Sequence, residues 1–128
     1  MDICQLVADS VPHCDWVGFY WRHPEKPRML LLGDYVGEPT EHTEIPYGRG
    51  ICGQVAESLQ TYVSDDVTLE SNYIACSATV RSEIVVPILK QGEFYGQLDI
   101  DSHTSAAFSA QHRQFLEELC RAIETSLE

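Results

Sequence analysis

Hydrophobic positions at the start of the chain fall at helical spacing, Ile3, Leu6, Val7 and Val11, and Pro12 ends the run. This predicts a short helix, or the end of a longer one. The pattern then changes to aromatic and branched runs, "DWVGFYWR" and "RMLLLGDYVG", separated by the polar "HPEKPR". Two antiparallel strands joined by a hairpin connection follow from it. The segment "EPTEHTEIPYGRGICGQVAESLQ" opens polar and passes a glycine-flanked turn. It then places Val55, Ala56 and Leu59 on one face of a short helix that starts near Gly50 to Gly53. "TYVSDDV" reads as a short strand with an acidic end, and residues 67–81 as loop.

Period-two alternation is clearest in "SEIVVPILKQGEFYGQLDIDS", two strands about a tight turn at Gly92. In the second strand Phe94, Gly96, Leu98 and Ile100 share one face, and Tyr95, Gln97, Asp99 and Asp101 the other. In the first, Ile84, Val86 and Ile88 share a face and leave Glu83 and Val85 opposite. The carboxylates therefore line up away from the aliphatic side. The last segment, capped by Ser109, sets Phe115, Leu119, Ile123 and Leu127 in an apolar stripe and predicts a packing helix. Strands interrupted by helices, with a helix at each end, point to an antiparallel sheet with helices on one face and a ligand pocket on the other.

The length of 128 residues implies one domain spanning 1–128. Eight Lys and Arg against 20 Asp and Glu leave a net charge of −12, which repels phosphate backbones and anionic lipid. Nucleic acid and membrane are thus poor partners. An acidic start and no long apolar run predict a cytoplasmic protein. The five cysteines, Cys4, Cys14, Cys52, Cys76 and Cys120, include no CxxC pair and no zinc-type spacing, so neither a disulfide framework nor a metal site is expected. Cys4, Cys14 and Cys120 sit in or beside apolar patterns and read as packing residues.

Cys76 differs, because Ser77, Thr79 and Arg81 around it are polar. A thiol among carboxylates is a poor nucleophile unless its substrate brings positive charge and needs a proton. A free amino acid supplies the ammonium, and a departing oxygen takes the proton. Clustered carboxylates serve both needs, since like charges push one of them up into the acid form. The alternatives stay open at this stage: "DID" reads equally as a solvated strand face, and Glu83 with Arg81 as a surface pair. The turn "PYGRGICG" is either an anion-binding or thiol-activating helix start, or only a turn.

Four ordered segments, "DWVGFYW", "IPYGRGICG", "YIACSATVRSEIVVPI" and "GQLDIDS", resemble the free methionine-(R)-sulfoxide reductases, which are single GAF domains. The resemblance implies an α+β, PAS-like GAF fold with a six-stranded antiparallel sheet. It also implies an oxidative-stress oxidoreductase with a redox-active cysteine. By motif, Cys76 matches the nucleophile that becomes a sulfenic acid. Glu83, Asp99 and Asp101 match the carboxylates that hold the amine and protonate the oxygen. Trp16 and Tyr20 match the aromatic wall, and Cys52 a second cysteine. No bound cofactor is implied, only an external thiol reductant of thioredoxin or glutathione type, and a homodimer is compatible with the family. Position 42, where the family carries a resolving cysteine, is His42, and the family's "ACDA" is "ACSA" through Ser77. Two functions follow: reduction of free methionine (R)-sulfoxide, or a non-catalytic GAF module that keeps the pocket for binding or signalling.

Overall fold

The computed structural model describes residues 2–70 and 79–127. Six strands form one antiparallel sheet: β1 (Trp16–Arg22), β2 (Met29–Val36), β3 (Glu44–Pro46), β4 (Tyr62–Ser64), β5 (Ser82–Lys90) and β6 (Glu93–Ser102). Their order across the sheet is β3-β2-β1-β6-β5-β4. Among the described residues three α-helices, α1 (Ile3–Ser10), α2 (Gly50–Ser58) and α3 (Ala110–Ser126), and a single 3-10 turn at Val67–Leu69 complete the fold. Among the described residues no helix is long and apolar enough to cross a membrane.

The aliphatic face of the sheet, from Val17 and Phe19 through Leu98 and Ile100 to Ile84, Val86 and Ile88, packs against α1 and α3. Two of the predicted helix faces are rotated slightly. In α1 the buried positions are Cys4 and Val7, with Val11 at the C-cap, while Leu6 is 37% exposed. In α3 the seam runs through Leu116 and Cys120, with Leu119, Ile123 and Leu127 beside it, and Phe115 is 38% exposed. Spacing of i and i+4 alone drifts around a helix of about 3.6 residues per turn, and the tertiary contact decides which of two adjacent stripes is covered. Ser109 caps α3 as expected, exchanging bonds with His112, and Asp2, which the pattern did not single out, caps α1 by accepting from the Cys4 and Gln5 amides.

β3 is an edge strand of three residues inside the stretch read as polar and turn-like, too short for alternation to show. Its place matters, because β3 ends one edge of the sheet and β4 begins the other. Five inter-strand spacings of about 4.8 Å separate those edges by roughly 24 Å. The connecting chain must cross a whole face, and α2 is that crossing. Its hydrophobic side, Ile51, Cys52, Val55 and Ala56, packs with Trp16, Tyr20, Leu30, Ile45 and Val85 on the face opposite α1 and α3.

A β-bulge corrects the predicted phase near the β5–β6 turn. Ile88 pairs with Gly96 but Leu89 pairs with Phe94, so β6 carries one extra residue there. Phe94 consequently leaves the Leu98 and Ile100 face and joins the α2 side, edge-on to Tyr47 with ring centroids 5.6 Å apart. Tyr95 moves the other way and meets Trp21 edge-on. Beside the bulge, Gly96 leaves room for the Trp21 ring: a Cβ there would collide with Cε3, lie 2.8 Å from Cζ3 and reach the Tyr20 carbonyl oxygen at 3.0 Å. Gly96→Ala should therefore lower stability by about 1–3 kcal/mol, measurable as a shift in the urea midpoint at unchanged slope.

Candidate functional site

On the face roofed by α2, strand register rather than sequence proximity assembles the polar groups. Asp101 of β6 pairs with Trp16 of β1 on one side and Glu83 of β5 on the other. One step along, Asp99 pairs with Gly18 and Val85, and next Gln97 pairs with Tyr20 and Pro87. Because all three strands alternate in phase here, Trp16, Tyr20, Glu83, Gln97, Asp99 and Asp101 share a face. The reading of "DID" as a solvated strand face is excluded, since Asp99 is 0% and Asp101 1% exposed. Glu83, at 4%, is no surface partner of Arg81.

The aromatic wall is held by its polar tips. Trp16 stacks on Tyr35 (5.5 Å between centroids) and more distantly on Tyr20 (6.3 Å). Gly18 makes this possible, since a Cβ there would strike the Trp16 ring and lie 2.9 Å from Tyr35 Cβ. Trp16 Nε1 donates to the Glu38 carbonyl at 3.0 Å, and Tyr20 Oη donates to the His42 carbonyl at 2.8 Å. The segment that carries His42 is thus tied to the wall through its backbone. Next to the wall, a hollow of about 320 Å³ is lined by Trp16, Glu38, Thr40, Val80, Asp101 and His103.

A second, much smaller hollow, of about 10 Å³, lies under the start of α2 between Ile45, Arg49, Cys52, Glu83 and Asp99. Gly48 and Gly50 carry φ of +85° and +65°, which lets the chain turn sharply into the helix. That turn sets Cys52 over the sheet, 6% exposed, with its Sγ donating to Asp99 Oδ2 at 3.4 Å. The glycines of "PYGRGICG" therefore make the turn, and the helix start delivers Cys52 to the carboxylates.

Burial raises the Glu83 carboxyl well above its ordinary range, and the charges of Asp101 and Asp99 push it further. Asp99 is also raised by burial, although the hydrogen bonds it accepts from Glu83 and Cys52 oppose that rise. The carboxyls titrate together rather than one by one, with burial favouring the neutral form at Glu83. No cationic side chain among the described residues contributes to the balance at Glu83 or Asp99. Asp99 Oδ1 is buried without a hydrogen-bond partner, and so are both ends of the Gln97 amide.

Cys76 and Ser77, where the nucleophile is expected, lie outside the described residues. Cys4 and Cys120 are core residues, and Cys14 is half-buried; burial pushes all three thiols up to about 12, so none is a nucleophile at neutral pH. The sequence reading missed Tyr35 and the carbonyls of Glu38 and His42, for which no sequence signal exists. It placed Gln97 on the correct face without recognising a buried amide.

The linkage at Glu83 has a definite sign. Its folded pKa exceeds the ordinary value of 4.5, so its stabilising contribution is complete below that pH and is lost as pH rises through the folded value. Thermal unfolding from about pH 5 to pH 8 should show wild type losing more stability than Glu83→Gln. The growth of general self-repulsion as the chain approaches a net charge of −12 is common to both proteins and cancels in the comparison.

The GAF domain family model matches residues 2–128. Free methionine-R-sulfoxide reductase of Escherichia coli is 33% identical over 122 residues, which is 95% of this chain and 72% of that one. The structure of type II free methionine-R-sulfoxide reductase from Thermoplasma acidophilum superposes with a TM-score of 0.90 at 36% identity, covering 96% of this chain and 85% of that one. A Neisseria meningitidis free methionine-R-sulfoxide reductase, solved in complex with its substrate, gives a TM-score of 0.90 at 36% identity over 96% of this chain and 72% of that one. With its fold, its carboxylate face and these likenesses taken together, the chain belongs to the free methionine-R-sulfoxide reductase family of GAF domains.

Proposed function

We propose that the protein reduces free methionine (R)-sulfoxide to methionine, with Cys76 as nucleophile. The observation that carries this reading is a buried carboxylate cluster, with the Glu83 carboxyl raised well above its ordinary range by burial and its acidic neighbours, beside an aromatic wall. The substrate's ammonium supplies a counter-charge for the buried Asp99, with Asp101 beside it, and its methyl-sulfur end suits Trp16 and Tyr20. In the first step the Cys76 sulfur attacks the sulfoxide sulfur and the Glu83 proton passes to the oxygen. The oxygen ends on Cys76 as a sulfenic acid, the thioether leaves as methionine, and the thiol proton restores the acid. A second thiol then condenses with the sulfenic acid, releasing water and leaving a disulfide. A dithiol or glutathione-type reductant returns Cys76 to the thiol by exchange.

His42 stands where the family's resolving cysteine is expected, so in this reading the second thiol is Cys52 or an external one. The same substitution motivates the other reading, a pocket kept for binding without turnover. Purified protein with dithiothreitol should consume the free (R)-sulfoxide and spare the (S) form. Cys76→Ser should lower turnover by at least about 10³-fold. Asp99→Asn should raise KM by about 10- to 100-fold, the cost of one charge-assisted hydrogen bond. Calorimetric binding of the sulfoxide with no turnover by wild type would leave the binding module as the correct reading.

A further inference from the structure

Cys52, Glu83 and Asp99 come from α2, β5 and β6, and one ligating atom of each lies within 4.8 Å of the other two. All three side chains are buried. We propose that they form a site for a divalent cation of the Zn²⁺ class, seated in the small hollow beneath the start of α2.

Three independent features support the assignment. Zn–S and Zn–O bonds of about 2.3 and 2.1 Å at a tetrahedral angle set a sulfur and an oxygen ligand about 3.6 Å apart. Cys52 Sγ and Asp99 Oδ2 are 3.4 Å apart with no metal needed to draw them together. The hollow between Cys52, Glu83 and Asp99 has a volume of about 10 Å³, room for a single small ion or water. Asp99 Oδ1 is fully buried and has no hydrogen-bond partner, so the group that completes the ligand set already bears the cost of an unsatisfied acceptor. One sulfur and two carboxylate oxygens favour a borderline cation over Mg²⁺ or Ca²⁺, which take all-oxygen sets, and three protein ligands leave the fourth position to water. The exposed Arg49 at the rim opposes a cation, which makes affinity for weakly held ions lower still. No spacing in the sequence signals the site, because its ligands are 31 and 16 residues apart in the chain (83 − 52 and 99 − 83).

Binding here takes up the carboxylate that the proposed reaction assigns to the substrate ammonium, so a bound metal holds the reductase off. The test nevertheless needs no substrate. Co²⁺ is titrated into the reduced Cys76→Ser protein, in which the proposed nucleophile cannot compete as a thiolate ligand and the three proposed ligands are intact. A near-ultraviolet thiolate-to-cobalt charge-transfer band should saturate at one ion per chain, and Zn²⁺ should displace it while Mg²⁺ does not. Adding Cys52→Ser should abolish the band, and adding Asp99→Asn should weaken binding at least about tenfold. If a ligand variant does not fold, the Cys76→Ser protein alone still decides: Zn²⁺ should raise its melting temperature and a chelator reverse the rise. A flat Co²⁺ spectrum, a band that survives Cys52→Ser, or no Zn²⁺ effect on melting would each overturn the site. Enzymatic inactivity of the wild type would leave these readouts unchanged and would bear only on the proposed reaction.

Discussion

Carboxyl groups buried on the middle strands of the sheet set the terms for everything around them. Taking an unpaired carboxylate out of water costs several kcal/mol, so groups such as Glu83 and Asp99 persist only if protons or cations offset the charge. The fold meets that cost locally by shifting Glu83 toward its neutral form and by the hydrogen bond that Asp99 accepts from Cys52. It meets the remainder at a distance. The opposite face of the same strands packs Ile84, Val86, Ile88, Leu98 and Ile100 under α1 and α3, a dry core whose burial carries the strain of the polar side. Stability and chemistry are thus divided between the two faces of one sheet.

Chain topology explains why Cys52 is where it is. A link from one sheet edge to the other cannot run through the packed face, so it passes over the remaining one, and a helix is the compact way to carry backbone across it without exposing unpaired amides. Position three of that helix then hangs above Asp99. The aromatic wall is tied to the approach of the same link through the Glu38 and His42 carbonyls. Side chains at the site are positioned by three long-range constraints, namely register, crossing and tether, of which only the tether rests on the loop between β2 and β3.

Much of this was legible in the residues. Alternation in β5 and β6 separated Glu83, Asp99 and Asp101 from the aliphatic positions, and the glycine turn before α2 marked where Cys52 would be delivered. Alternation failed at Phe94 because a bulge adds a residue that no local preference announces. It also failed at β3, whose three residues take their conformation from pairing with Met29, Leu30 and Leu31 rather than from their own pattern. Helix faces were off by one position at Leu6 and Phe115, where two neighbouring stripes are both apolar and only packing chooses between them. Burial of the acids could not be read from "DID", which is as polar as any surface strand; it follows from α2 lying above them.

The pairing of Trp16 with Asp101 joins positions 85 residues apart in the chain (101 − 16). Closing so large a loop precedes any reward from the contact, so this central seam belongs to the slow part of folding. Until β6 docks between β1 and β5, the acids stay hydrated and ordinary. Their unusual protonation is acquired only when nearly the entire polypeptide has emerged and collapsed, so partly made chains carry the right residues but none of the reactivity.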